Sequence, residues 1–252
     1  MTHHALLDRM KTSIDTWETN GDRRAIFLAC YALMTHNMLD GIDAGRFDDN
    51  GWVHLLVHNF AEYYFIALEA YERNTGWLPD VWRQAHDLTR VPEMPPLVHL
   101  LLGVNAHINC DLVLVLDDML RDEWDDLTPQ MRQSRLDDYL LVNTIIGETI
   151  DSVQDHVLKR YSPAMGVVDV AFGRLDEWCT ARLIRNWRHD VWKQAVTLIQ
   201  AKDAQTRVTL RRQADFLALR RMNLVVAGGA FGVRVFGYSQ RWLRRLGVTP
   251  DQ

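Results

Sequence analysis

The stretch Leu97-Val98-His99-Leu100-Leu101-Leu102-Gly103-Val104-Asn105-Ala106-His107-Ile108-Asn109-Cys110-Asp111-Leu112-Val113-Leu114-Val115-Leu116 decides the fold. It contains no proline, and its apolar residues would surround a helix on all sides instead of lining one stripe. A helix that is apolar all round is buried all round. Residues of about 97–120 are therefore expected to form a central helix with others packed about it. The preceding run, Val91-Pro92-Glu93-Met94-Pro95-Pro96, stays non-helical until its end, because proline disfavours the helical conformation in the residue before it. The acidic run Asp122-Glu123-Trp124-Asp125-Asp126 follows as a loop.

Outward from this segment, glycine and proline are scarce, 14 and 7 in 252 residues, and clustered. The intervals between them suit only helices. Leu6, Leu7, Met10, Ile14 and Trp17 recur at helical spacing and predict a first helix over 5–19. Asp22 is placed to cap a second, which ends near Gly41. A third spans about 52–73, and Pro79 opens a short fourth. Thr128-Pro129 reads as N-cap and first residue of a sixth, reaching about Tyr161. Two more fill the interval from Gly173 to Gly228, with a break near Ala201 to Thr206. No repeat and no strand alternation is present. The expected architecture is a single all-α domain over residues 1–252, of about eight or nine helices around the buried one.

Composition bounds the function. The chain is 48% hydrophobic and 24% charged, ordinary for a soluble globule. Its net charge of −5 argues against a general nucleic-acid binder. No run reaches about 18 uncharged apolar residues, so no ordinary membrane span is expected. Met1-Thr2-His3-His4 lacks the blocks of a signal peptide. Cys30, Cys110 and Cys179 are too far apart and too few for a disulfide framework, which points to reduced thiols and a cytoplasmic protein. The last 52 residues carry ten basic against three acidic residues, or +7, leaving −12 for the first 200. This basic segment, 202–252, reads either as a solvated helix face or as a peripheral contact with a membrane or an acidic partner.

The chemistry concentrates in the central helix. Asn105, His107, Asn109 and Asp111 are four polar residues in a segment built for burial. Each costs about 1–3 kcal/mol if left unpaired there. They must satisfy one another, a ligand or a metal. Gly103, one turn before His107, would let a helix or a ligand approach closely. On the third helix His54, His58 and Glu62 share one face. The expected site joins the two helices. His58, His99, His107 and Asp111 would hold zinc or iron, for which mixed nitrogen and oxygen ligands are suited. Glu62 would be general base toward metal-bound water, and Asn105 and Asn109 would orient the substrate. The function expected on this reading is an intracellular metal-dependent hydrolase of a small molecule. The alternative is a non-catalytic helical module that binds an apolar small molecule or a protein partner, with the Asn/His/Asp cluster structural. Arg182, Arg185 and Arg188, beside Trp187, either clamp an anion or pair with acidic residues of the sixth helix, where Asn143, Glu148, Asp151 and Asp155 lie. The chain lacks a Glu-x-x-His pair, a Gly-rich phosphate loop after a strand and a Gly-x-Ser-x-Gly elbow, so di-iron, nucleotide and serine-hydrolase readings gain no support.

The core Gly103-Val-Asn-Ala-His-Ile-Asn-Cys-Asp111-Leu112 resembles the hallmark of a family of uncharacterised, mostly bacterial proteins of similar length. The likeness extends to Gly45-Arg46-Phe47-Asp48-Asp49, to Tyr161-Ser162-Pro163 with Asp169 beyond, and to Arg185-Asn186-Trp187. It implies a helical domain and draws attention to the central site without implying a reaction. A more distant likeness is to zinc-dependent phospholipase C and related helical nucleases. Val104 stands where their aspartate follows the glycine, and the proline before their second histidine is absent.

Overall fold

The helix breaks expected from polar residues are where the chain turns. A computed structural model describes residues 3–91, 94–153, 156–157, 159–161 and 166–245, with side chains set aside at 3, 151–152, 159, 166–180 and 228–245. The elements are α1 (His3–Thr19), α2 (Arg24–Asp43), α3 (Asn50–Arg73), α4 (Asp80–Leu88), α5 (Pro96–Ala106), a π-helical turn (His107–Asp111), α6 (Leu112–Leu120), α7 (Pro129–Val153), the single turn α8 (Lys159–Tyr161), α9 (Gly166–Ile199) and α10 (Ala204–Arg245). With α5, the π turn and α6 taken as one rod and α8 set aside, the described residues hold eight helices and no strand. The sixth helix, expected to reach about Tyr161, is described as α7 to Val153, and helical backbone is described again at 156–157 and 159–161; Gln154, Asp155 and Leu158 lie outside the described residues.

The rod from Pro96 to Leu120 is the centre of the fold. It packs against α2, α3, α4, α9 and α10, and from Leu102 to Asp117 only Val104 is more than marginally exposed. It and α2 are both long and apolar enough to cross a membrane by length and composition. In this fold their apolar windows are 89% and 61% buried inside the bundle, which is how core helices behave. The close approach of α2 depends on Gly103. A Cβ there would lie 2.4 Å from Cγ of Phe27, well inside contact distance.

Carboxylates from distant helices secure the helix starts. The Asp138 side chain on α7 is 2% exposed. It accepts the backbone N–H groups of Asp48 and Asp49 at 2.8 and 2.9 Å. Asp49 in turn caps α3 by accepting from Trp52 N, and Arg135 pairs with Asp49. Asp215 on α10 accepts from the N–H groups of Asp80 and Val81, where Pro79 offers α4 no side-chain cap. Such bonds satisfy the orphan donors of a helix N-terminus and favour its positive dipole end.

The basic C-terminal segment is in part an internal partner. Arg211 pairs with Asp117 and Asp118, and Arg221 with Asp190. Its other residues from 228 on, including Arg234, Arg241, Arg244 and Arg245, lie outside the described side chains. So do Asp151, Asp155, Ser162, Pro163, Asp169 and Cys179. Cys30 and Cys110 are buried free thiols.

Candidate functional site

The π turn interrupts the rod at its most polar point. The Leu112 N–H donates to the His107 carbonyl, five residues back. This wider turn inserts a residue and re-aims side chains, and π turns of this kind often occur at functional sites. His107 and Asp111 both point into the core. His107 Nδ1 lies 2.9 Å from Asp111 Oδ2, and Trp82 Nε1 donates to both oxygens of Asp111 at 3.0 and 2.8 Å. The imidazole stacks on Phe60 at 3.5 Å between centroids and meets the edge of Tyr31 at 4.3 Å.

Burial sets the protonation of this pair. It pushes the Asp111 carboxyl well above its usual range and holds His107 well below its own. The low-dielectric surroundings thus favour zero net charge. The shared proton then sits between Asp111 Oδ2 and His107 Nδ1, and with either owner Nε2 carries a hydrogen. His107 Nε2 is buried and has no hydrogen-bond partner.

Beside this ring lies a cavity of about 170 Å³, lined by α2, α3, the rod, α7 and α9. Its wall is mostly aliphatic and aromatic, and Tyr31, Thr35, His107 and Arg188 supply its polar groups. Tyr31 Oη and Thr35 Oγ1 are buried and close together, yet neither has a partner in good hydrogen-bond geometry. His107 Nε2, Tyr31 Oη and Thr35 Oγ1 thus lack a well-formed hydrogen bond on a wall that, Arg188 apart, is apolar. On one side Met34, Leu97, Leu101, Val104 and Ile146 remain only half-buried.

The residues expected to hold a metal are placed differently. His107 and Asp111 are together, but Asp111 is already engaged by Trp82. His99 lies two turns earlier on the rod, with Nε2 3.3 Å from Nη1 of Arg23. Burial and the Arg23 charge lower its pKa to about 4. His58 stands beside His54 on α3, ring centroids 4.4 Å apart. Glu62 pairs with Arg9 at 3.0 Å. The reason is the rotation of α3, which turns Phe60 and Tyr64 toward His107 and carries His58 and Glu62 off that line. Among the described residues no three His, Cys, Asp or Glu side chains come together as a metal-binding group.

Asn105 and Asn109 face α10 and are not part of the cavity wall. Asn105 Nδ2 donates to the Ala218 carbonyl, and Asn109 Nδ2 to Asn105 Oδ1. Arg221 then bonds Asn109 and Asp190. They pin α10 to the rod rather than meeting a molecule in the cavity. Of the arginine cluster, Arg185 is exposed and Arg188 buried. Trp82 stands out by no motif in the sequence. Its bond to Asp111 has no signature in spacing, since the two are 29 residues apart.

The chain matches a family of unknown function, DUF5995, over residues 4–227 and belongs to it. No curated protein and no solved structure matches it.

Proposed function

We propose that this DUF5995 protein is a binding module that takes an apolar small molecule into its central cavity, with His107, Tyr31 and Thr35 supplying the polar contact. The observation that carries this reading is the coincidence of cavity and orphaned polar atoms. Ligand pockets are mostly apolar and few in a protein, with a small number of placed polar groups that fix orientation. A buried polar atom without a partner costs about 1–3 kcal/mol, and a ligand oxygen accepting from His107 Nε2 would remove that cost. A cavity of about 170 Å³ is near the roughly 150 Å³ that admits benzene. The occupant is therefore small, a chain or ring of roughly six to eight carbons.

The experiment sets this reading against a zinc-class centre at His58, His99, His107 and Asp111. Thermal unfolding is followed with octanol and, separately, with zinc or iron(II). A ligand that binds only the folded state raises the melting temperature as its concentration passes its dissociation constant. Octanol should raise it saturably, and the metals should not. A rise with metal at one equivalent per chain, lost in His107→Ala, would favour the hydrolase instead.

A further inference from the structure

We propose that the molecule held in the central cavity is an aliphatic carboxylate, its acid group taken by Arg188 and its chain by the aliphatic wall. This rests on the reading of the cavity as a ligand site; a charged headgroup is anchored at Arg188, whereas a neutral hydroxyl is anchored at His107, Tyr31 and Thr35. Arg188 lines the cavity one turn after Ile184 and is 3% exposed. Its Nε donates to Asn143 Oδ1 at 2.9 Å and its Nη2 to the Tyr139 carbonyl at 2.8 Å. The guanidinium lies 4.2 Å above the Tyr139 ring, and Tyr139 Oη donates back to the Arg188 carbonyl at 2.7 Å. Each of these partners is neutral. Nη1 makes no hydrogen bond among the described residues, and no carboxylate there pairs with the guanidinium.

A buried cation is costly unless an anion and hydrogen bonds accompany it. Burial lowers the Arg188 pKa, but a guanidinium starts so high that it keeps its charge. The other ionisable groups of the cavity do not supply the anion, because the His107–Asp111 pair carries no net charge in its apolar setting. Among the described residues, nothing on the wall thus compensates the charge at Arg188. Asn143, the Tyr139 carbonyl and the Tyr139 ring hold the side chain in one orientation. That leaves Nη1 and the second hydrogen of Nη2 for an acceptor, the two-point fork that matches a carboxylate. Arg182 and Arg185 are exposed and are not on this wall, so only Arg188 is assigned the headgroup.

The test is calorimetric titration of the full chain with octanoate and with octanol, which share a chain and differ in the headgroup. Wild type should bind octanoate at least tenfold tighter than octanol. Arg188→Met should weaken octanoate about tenfold or more and leave octanol within about twofold, as expected when a charge-assisted fork is removed. Should Arg188→Met not fold, Arg188→Lys keeps the charge without the fork and should still weaken octanoate selectively. The wild-type comparison needs no variant. Octanol binding as tightly as octanoate overturns the assignment of the headgroup while the cavity remains a ligand site. Saturable binding of neither overturns both.

Discussion

Two residues of the central rod, Asp111 and Gly103, each have their own test. Asp111 accepts from Trp82 and faces His107 in the buried core. Asp111→Ala should cost about 3–5 kcal/mol in urea unfolding, since it orphans both partners. Asp111→Asn keeps an acceptor for Trp82 and should cost well under that, and a near-neutral alanine variant would contradict the buried network. Gly103 was legible as a place of close approach. The approaching group proves to be Phe27, whose Cγ and Cβ are too near its backbone to swing away. Gly103→Ala gains about 1 kcal/mol of helix propensity but should lose about 1–3 kcal/mol net through overpacking. Pairing it with Phe27→Leu should recover part of that loss, which a double-mutant cycle by urea unfolding would read. The polar cluster at 105–111 was visible as a cluster but not as two devices. His107 and Asp111 pair with each other beside the cavity, while Asn105 and Asn109 bind α10. Which side of a helix meets which neighbour depends on tertiary packing, and a π turn within the cluster changes the side again.

Among the elements, the helices were legible because proline, glycine and polar breaks punctuate long apolar runs. The α9 to α10 break and the Pro79 and Pro129 starts illustrate this. What could not be read was how helix ends are satisfied from afar. Asp48 and Asp49, in the stretch that resembles the family pattern, serve to start α3 through Asp138, 90 and 89 residues away. Asp138 on α7 was not singled out, since a lone aspartate on a helix carries no signal of its distant partner. Asp138→Ala should lower stability by about 2–3 kcal/mol, the scale for losing charge-assisted bonds to backbone N–H groups. Asp215→Ala should loosen α4 in particular. Hydrogen exchange would locate the effect, with faster exchange at Asp80 and Val81 than elsewhere. Uniform exchange would contradict a local cap. The placement of His58 and Glu62 away from His107 was not legible either: an i, i+4 series shows which residues share a face, not which way that face turns.

For the whole molecule, buried histidines tie stability to pH. His86 is 4% exposed and stacks on Trp82. Burial, reinforced by the Arg24 charge, lowers its pKa from 6.5 to about 3. Between these values the unfolded chain takes a proton that the folded chain refuses. The stability it confers is complete above pH 6.5 and is lost as pH falls toward 3. From pH 7 to 5 this removes roughly 2 kcal/mol. His99, lowered to about 4, acts in the same direction. Asp111, whose carboxyl is raised, acts in the opposite one. Urea midpoints should fall over that interval, and His86→Phe should flatten the fall. The central claim is that the bundle encloses a ligand site. Its most direct test is calorimetric titration of octanol into wild type and into Val104→Phe, which places a ring at the half-buried side of the cavity. Wild type should bind one octanol per chain saturably, with the negative heat-capacity change of apolar burial. A Val104→Phe variant that still unfolds cooperatively should lose that binding. Equal binding by both proteins, or none by wild type, would contradict the central claim.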